Sequence, residues 1–171
     1  MNFDKAKVAA ACKQYGGFIQ RLPATIDGAL LLWALSGNES SFGQNTNPRH
    51  EVEYCPQNQP HRTTSGIVVR PGRYAADGLQ VALFRQWGCW ACCSYTPWQL
   101  MAVNAIGYTP IELMTDLERS VEAAVSFASK IMAHESMPEE ATLDDIARFW
   151  NGSGVSQQYI DDLKKYYAAG F

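Results

Sequence analysis

The chain has 171 residues, of which 47% are hydrophobic and 12% aromatic, and this is enough for a substantial core in one globular domain. Its formal net charge of -3 provides no overall basic field for non-specific nucleic-acid binding, so nucleic acid is not an expected partner. No apolar run reaches membrane-spanning length and the N-terminus lacks a secretory pattern, so we expect no signal peptide, no stable membrane insertion and a monomer.

The first half of the chain is predicted to begin with two helices. Apolar residues recur at helical spacing over residues 4–15, and a glycine pair stops this helix. A second helix, capped by Thr25, is predicted over about 26–37. Its segment 29–35 is apolar all round, which is typical of a central helix surrounded by other elements.

The composition then changes to Asn, Pro, Gln, Gly and Thr from residue 43 to about 71, which predicts a long loop. Within it, only residues 66–69 have the pattern of a short strand. Helical spacing returns over residues 75–88, and Thr96 is predicted to cap another helix over about 97–107. Two helices are therefore expected to flank the cysteine-rich segment between them.

Three further helices complete the prediction. Asp116 begins a long one that reaches about His134, Thr142 begins another that ends at residues 151–154, and Ser156 caps the last. We find no repeat or linker. The expected fold is mainly α, a single domain of residues 1–171 with a small loop and β insertion.

The cysteines are odd in number, so at least one thiol stays free: Cys12, Cys55, Cys89, Cys92 and Cys93. Cys89 and Cys92 have the spacing of a metal or redox pair, to which His50, Cys55 and His61 are candidate further ligands. A second closely spaced ligand pair is missing, so we favour simple packing beside the neighbouring tryptophans. A zinc site and a disulfide from Cys55 to this cluster are the alternatives.

Glu39 is the single carboxylate at the end of the apolar second helix. The negative end of the helix dipole and desolvation by apolar neighbours both disfavour its charged form. A carboxylic acid that stays protonated near neutral pH can act as a general acid towards a glycosidic oxygen. The alternative interpretation is an ordinary solvated glutamate after a helix stop.

Three motifs in order resemble the signature regions of the soluble lytic transglycosylases: "ES" at 39–40, "SYTPWQLM" at 94–101 and "ARFWNGSG" at 147–154, followed by "YIDDLKKYY" at 159–167. The "TPWQ" within the second motif is similar to phage-type relatives. The resemblance spans about residues 26–167. It implies the lysozyme-like α+β fold and cleavage of the glycan strands of peptidoglycan.

Carried over position by position, the resemblance implies that Glu39 is the catalytic acid and base and that Ser40 supports the local turn and is one of the substrate-binding residues. Gln99 and Asn151 would line the cleft near the cleaved bond, and Gly152 would let the chain turn beside the sugar. No metal and no cofactor are implied.

The chain departs from the family pattern in three respects. Trp150 stands in place of a tyrosine, and Thr96 in place of a glycine. The separation between the first two motifs is also long, so residues 44–93 are interpreted as an insertion that forms a lobe over the cleft. Among the aromatic residues, Trp150 and Tyr95 lie beside the motifs and are predicted to stack on sugar rings.

The insertion contains "PRHEVEY", in which Glu51 or Glu53 is a candidate second carboxylate. A hydrolytic, inverting lysozyme needs a base about 6.5–9.5 Å from the acid, whereas a transglycosylase lets the C6 hydroxyl of its substrate attack and forms a 1,6-anhydro product. Alternatively, Glu51 pairs with Arg49, Arg62 or Arg70. Whether Glu51 acts as the second carboxylate therefore decides between the hydrolytic and the transglycosylase mechanism.

The sequence thus predicts a lytic transglycosylase that cleaves the β-1,4 bond between MurNAc and GlcNAc. One alternative is a hydrolytic lysozyme (muramidase). The other is an inactive wall-binding or virion structural module, and the departures at Trp150 and Thr96 favour this second alternative. We expect a protein made in the cytoplasm that acts at the cell wall or periplasm, as a phage lysis protein (endolysin) or an injected effector.

Overall fold

The computed structural model describes residues 2–51, 54–56, 61–62, 68–69, 78–152 and 154–171, with the backbone alone at 61–62 and 68–69. Its helices are α1 (Lys5–Tyr15), α2 (Gly28–Ser40), α3 (Gly78–Trp87), α4 (Pro110–Thr115), α5 (Leu117–Met132), α6 (Leu143–Asn151) and α7 (Gln157–Ala169). Its strands are β1 (Arg49–His50), β2 (His61–Arg62), β3 (Val68–Val69), β4 (Cys93–Tyr95) and β5 (Leu100–Met101). The predicted mainly α class is confirmed.

The strands form two small antiparallel sheets. One has the order β1-β4-β5, with Arg49 opposite Ser94 and Tyr95 opposite Leu100. The other is the pair β2-β3. The strand predicted at 66–69 coincides with β3 at 68–69, and its first half lies outside the described residues.

Helix α2 is the central helix, as predicted. It packs against α1 and α7, and eight of its 13 residues are buried: Leu31, Leu32, Trp33, Ala34, Leu35, Ser36, Gly37 and Ser40. Its cap is Asp27, whose side chain accepts from the N–H of Leu30 at 2.9 Å, so the predicted cap at Thr25 is wrong. A helix that is apolar all round needs partners on every side, and these surroundings supply them.

The end of α2 lies three residues beyond the predicted end, because Gly37 continues the helix instead of stopping it. A side chain at Gly37 would come within 2.7 Å of the ring of Phe42, which folds back onto the helix. The reversal uses three successive residues of positive φ, Ser41 at 53°, Phe42 at 61° and Gly43 at 83°. Glu39 consequently stands in the last helical turn, just before the chain reverses.

Helices α5, α6 and α7 begin as predicted. Asp116, Thr142 and Ser156 each accept hydrogen bonds from backbone N–H groups of the first turn. The short helix α4, capped by Thr109, was not predicted. None of the described helices is long and apolar enough to cross a bilayer.

The helix predicted over 97–107 is wrong, since this segment begins with a hairpin between β4 and β5. Thr96 and Gln99 adopt φ of 76° and 47°, and the N–H of Gln99 donates to the carbonyl of Thr96 at 3.2 Å. Trp98, at the tip, is fully buried and donates its indole N–H to the carbonyl of Leu32 at 2.8 Å. Burial of Trp98 against α2 therefore outweighs the helical preference of the residues that follow.

Candidate active site

A cleft of about 500 Å³ lies between the β1-β4-β5 sheet and the C-terminal end of α6. Five of the residues predicted for the site line it, and they come from widely separated parts of the chain: Glu51, Gln99, Trp150, Asn151 and Gly152. The second motif (94–101) and the third motif (147–154) therefore meet across one cleft. Arg49, Tyr54 and Ser94 also line it and were not among the predicted site residues.

Glu39 is not among the residues that line this cleft, but it interacts with Trp150, which is, and part of its surface is exposed. Its Oε1 accepts a hydrogen bond from the hydroxyl of Tyr159 at 2.6 Å. Burial raises the pKa of Glu39 above its ordinary value. The hydroxyl of Tyr159, the charge of Arg49 and the indole of Trp150 lower that pKa, and the charge of Glu51 raises it. Desolvation is the largest of these effects and favours the protonated acid, as expected from the sequence.

Tyr159 lies beside Glu39 in the candidate site and was not among the site residues predicted from the sequence. Burial and the neighbouring Glu39 raise the pKa of Tyr159, so its hydroxyl keeps its proton and acts as a donor. The side-chain amide of Asn38 donates to the Tyr159 carbonyl at 2.8 Å and fixes the start of α7 against α2. The two residues of the pair are 120 positions apart, so no local pattern indicates it.

Ser40 supports the turn, as the resemblance implies, but its assignment as a substrate-binding residue is wrong. It is 2% exposed and does not belong to the lining of the cleft. Its hydroxyl donates to the carbonyl of Pro97 at 2.7 Å and accepts from the N–H of Gly43 at 2.8 Å. Ser40 thus ties the end of α2 to the β4-β5 turn, which places Glu39 and Gln99 on one rigid unit.

Glu51 lines the cleft, as expected of a second catalytic carboxylate, and it also pairs with Arg49, as the alternative interpretation expects. Its Oε1 accepts from the Nε of Arg49 at 2.6 Å. The Ser94 hydroxyl lies 2.9 Å from the same oxygen and 3.0 Å from Oε1 of Gln99, so it links the two side chains while donating to one at a time. Gln99 also donates from Nε2 to the carbonyl of Thr96 at 3.1 Å. The alternative carboxylate Glu53 and Arg70 lie outside the described residues, as does the side chain of Arg62.

Trp150 lines the cleft, but only 9% of it is exposed. Its ring packs edge-on against Phe127, with centroids 5.0 Å apart. Little of the Trp150 ring is therefore left for stacking on a sugar. Its indole instead interacts with Glu39 and lowers the pKa of that carboxyl group. Beside it, Asn151 is exposed, and Gly152 adopts φ of 81° and ψ of -178°, a conformation that glycine adopts far more readily than other residues.

Tyr95 was predicted to stack on sugar, and this prediction is wrong. It is fully buried, and its hydroxyl donates to the carbonyl of Trp90. Alternation along β4 explains the error, because neighbouring residues of a strand face opposite sides and Ser94 is the one that faces the cleft. Tyr54, in the insertion, is instead the tyrosine that lines the cleft.

Within the insertion, the segments 49–51 and 54–56 border the cleft through Arg49, Glu51 and Tyr54. The same segment brings His50 and Cys55 to Cys92, and the ligand atoms of these three residues lie within 4.8 Å of one another. Cys89 is exposed and is not part of this group. The side chain of His61 lies outside the described residues.

No protein-family model, curated protein or solved structure matches this chain. The likeness to the lytic transglycosylases therefore rests on the three motifs themselves. The chemistry of the site has to be inferred from its own geometry, a desolvated carboxylic acid beside a polar cleft.

Proposed function

We propose that the protein cleaves the glycan strands of peptidoglycan as a lytic transglycosylase of lysozyme-like type. The observation that carries the proposal is the environment of Glu39, a carboxyl group whose pKa is raised by burial and which lies beside a cleft lined by Gln99 and Asn151. A raised pKa in such a place is what proton donation to a glycosidic oxygen requires. The cell wall is accordingly the proposed place of action.

In the first step, Glu39 donates its proton to the oxygen that bridges MurNAc and GlcNAc, and the bond from the anomeric carbon to that oxygen breaks. Positive charge develops on the MurNAc ring, as in other glycosidases. The C6 hydroxyl of the same sugar then bonds to the anomeric carbon, and its proton passes to the Glu39 carboxylate. The product is a 1,6-anhydro sugar, and Glu39 is protonated again without any water being consumed.

The surrounding residues orient this acid. The hydroxyl of Tyr159 holds Oε1 at 2.6 Å, and the Ser40 hydrogen bonds lock the helical turn that carries Glu39. Gln99 and Asn151 offer amide groups that can bind sugar hydroxyl and acetamido groups. A fixed donor geometry contributes to the rate because proton transfer requires hydrogen-bond distance.

Glu51 is the basis of the second candidate function, a hydrolytic lysozyme in which it activates water. Its place in the cleft lining favours that candidate. Its Oε1, however, already accepts from Arg49 at 2.6 Å and lies 2.9 Å from the Ser94 hydroxyl, so fewer lone pairs remain for a water molecule. We therefore favour the mechanism with a single carboxylate.

The test is digestion of purified peptidoglycan sacculi by the protein and by its Glu39→Gln variant, with mass spectrometry of the released muropeptides. We expect products with 1,6-anhydro ends, one water lighter than hydrolytic products. A general acid contributes about 100- to 10,000-fold, so the variant should lose at least about 100-fold in rate. The amide of the variant can still accept from Tyr159, so its folding should be unchanged by circular dichroism.

Three results would contradict parts of the proposal. Products with ordinary reducing ends would replace the transglycosylase by a lysozyme. Undiminished release by the Glu39→Gln variant would remove Glu39 as the acid. Binding of the wild-type protein to sacculi without any release of muropeptides would favour a wall-binding module instead.

A further inference from the structure

A cluster of soft metal ligands lies behind the cleft, where the insertion meets the β1-β4-β5 sheet. His50 is on β1, Cys55 follows the cleft residue Tyr54, and Cys92 directly precedes β4. Every pair of their ligand atoms lies within 4.8 Å. The two sulfurs belong to residues that are 1% and 0% exposed, whereas His50 is exposed.

The geometry points to a structural zinc site formed by His50, Cys55 and Cys92. This departs from the sequence expectation that no metal is involved, and it stands independently of the proposed enzymatic activity. In a tetrahedral zinc site with Zn–S of about 2.3 Å and Zn–N of about 2.0–2.1 Å, neighbouring ligand atoms are roughly 3.5–3.8 Å apart. From separations of up to 4.8 Å, the three ligand atoms would have to approach one another by about 1.3 Å at most, which is within reach of side-chain rotation.

The chemistry of the three side chains selects the metal. Thiolates and imidazole together suit zinc, whereas calcium and magnesium require oxygen ligands. Binding forms two Zn–S bonds and one Zn–N bond and releases the two thiol protons to solvent. Two thiolates neutralise the dication, so the buried site carries no net charge when water fills the fourth position.

The sequence also bears on the fourth position of the site. Cys89 and Cys92 are separated by two residues, a spacing found in zinc sites. Cys89 is therefore the candidate for the fourth ligand position.

The site would have a structural consequence for the cleft. His50 lies between Arg49 and Glu51 in the chain, and the N–H of Glu51 donates to the Cys92 carbonyl at 2.8 Å. The N–H of Tyr54 donates to the Glu51 carbonyl at 3.0 Å, immediately before Cys55. A metal ion bonded to these three ligands would fasten the segment that carries Arg49, Glu51 and Tyr54 to β4.

The experiment measures metal directly on the full chain, purified under reducing conditions with zinc supplied and then freed of loose metal. We expect about one zinc per chain by elemental analysis. Replacement by Co²⁺ should give the strong thiolate-to-cobalt charge-transfer absorption of a sulfur-ligated site. Cys55→Ser and Cys92→Ser should weaken zinc binding at least about 100-fold in a chelator competition, because loss of a ligand costs no less than loss of its supporting groups.

Cys12→Ala is the matched control, since Cys12 is a buried thiol in α1 outside the cluster. It should keep both the zinc and the cobalt spectrum. The proposal is overturned if the wild-type chain binds no zinc, or if the Cys55→Ser variant retains it with unchanged affinity. A Cys55–Cys92 disulfide, found by mass spectrometry after thiols are blocked at cell lysis, would equally overturn it. The cobalt titration of the wild-type chain decides the question even if a variant fails to fold.

Discussion

Two carboxyl groups, Glu51 in the lining of the cleft and Glu39 beside it, have environments of opposite character. Glu39 stands in the last turn of an apolar helix, where burial raises its pKa and its contacts are the hydroxyl of Tyr159 and the indole of Trp150. Glu51 lies on a polar segment, 25% exposed, and bonds to the guanidinium of Arg49 and the hydroxyl of Ser94. Glu39 thus accepts a hydrogen bond from the neutral phenol of Tyr159, whereas Glu51 accepts one from the cationic guanidinium of Arg49.

This difference assigns different roles to two residues of the same chemistry. Desolvation favours a carboxyl group that donates a proton, whereas pairing with a guanidinium favours a carboxylate that accepts hydrogen bonds and orients its neighbours. The chain separates the two by placing one at the end of a buried helix and the other beside a strand. If the comparison holds, amide substitutions at the two positions should have very unequal effects.

The largest expected difference is in activity on sacculi. Glu39→Gln should reduce muropeptide release at least about 100-fold, because the proton donor of the proposed mechanism is removed. Glu51→Gln should cost less than about tenfold, equivalent to about 1.4 kcal/mol in the barrier, because the amide oxygen can still accept from Arg49 and Ser94. Initial rates of release at saturating sacculi measure both. Equal losses at the two positions would instead make Glu51 a catalytic partner and favour the hydrolytic mechanism.

The next effect concerns the tyrosine that holds Glu39. Tyr159→Phe removes a hydrogen bond that lowers the pKa of Glu39, so that pKa should rise and the alkaline limb of kcat/KM should move to higher pH. The rate at the optimum should fall about three- to tenfold, because the carboxyl group loses one orienting hydrogen bond. The measurement is a pH profile of muropeptide release.

Tyr166→Phe is the control for this substitution, since it makes the same change in the same helix. The ring of Tyr166 packs against Phe42, and Tyr166 is not among the groups that shift the pKa of Glu39. Its profile should coincide with that of the wild-type protein. An alkaline limb that stays in place in Tyr159→Phe would mean that Glu39 does not determine it.

Much of the fold follows from local patterns in the sequence. The caps at Asp116, Thr142 and Ser156 and the burial of α2 were predictable because each depends on residues within one or two turns. The β4-β5 hairpin was not, since its turn is stabilised by Trp98 bonding to Leu32, 66 residues away. Long-range burial decided that segment against its local preference.

The residues of the candidate site also divide into those that the sequence indicates and those that depend on long-range packing. Glu39, Gln99 and Asn151 were found through the family resemblance and because Glu39 interrupts an apolar run. Tyr159 was missed because its role depends on the packing of α7 against α2, and Tyr95 was wrongly included because strand alternation turns it inward. Pairing of Glu51 with Arg49, two residues earlier, was open to sequence reasoning because it is local.

The smallest expected effect is on stability, and it tests the environment of Glu39 without any assay of activity. The folded state binds the proton of Glu39 more tightly than the unfolded chain does, because its pKa is raised above the ordinary value of 4.5. Above that pH the unfolded state loses the proton first, so the free energy of unfolding falls as the pH rises, by at most about 1.4 kcal/mol per pH unit, until the raised pKa is passed. Glu39→Gln has no proton to lose there and escapes this decline.

Urea unfolding of both proteins from pH 4 to pH 8 measures the effect, and subtraction of the two curves cancels the groups that they share. The variant should gain stability relative to the wild-type protein as the pH rises from 4.5, and the difference should level off above the raised pKa. A difference that stays constant across this range would mean that Glu39 is as well solvated as an ordinary glutamate. The contrast with Glu51 would then lose its physical basis, because desolvation would no longer distinguish Glu39 from it.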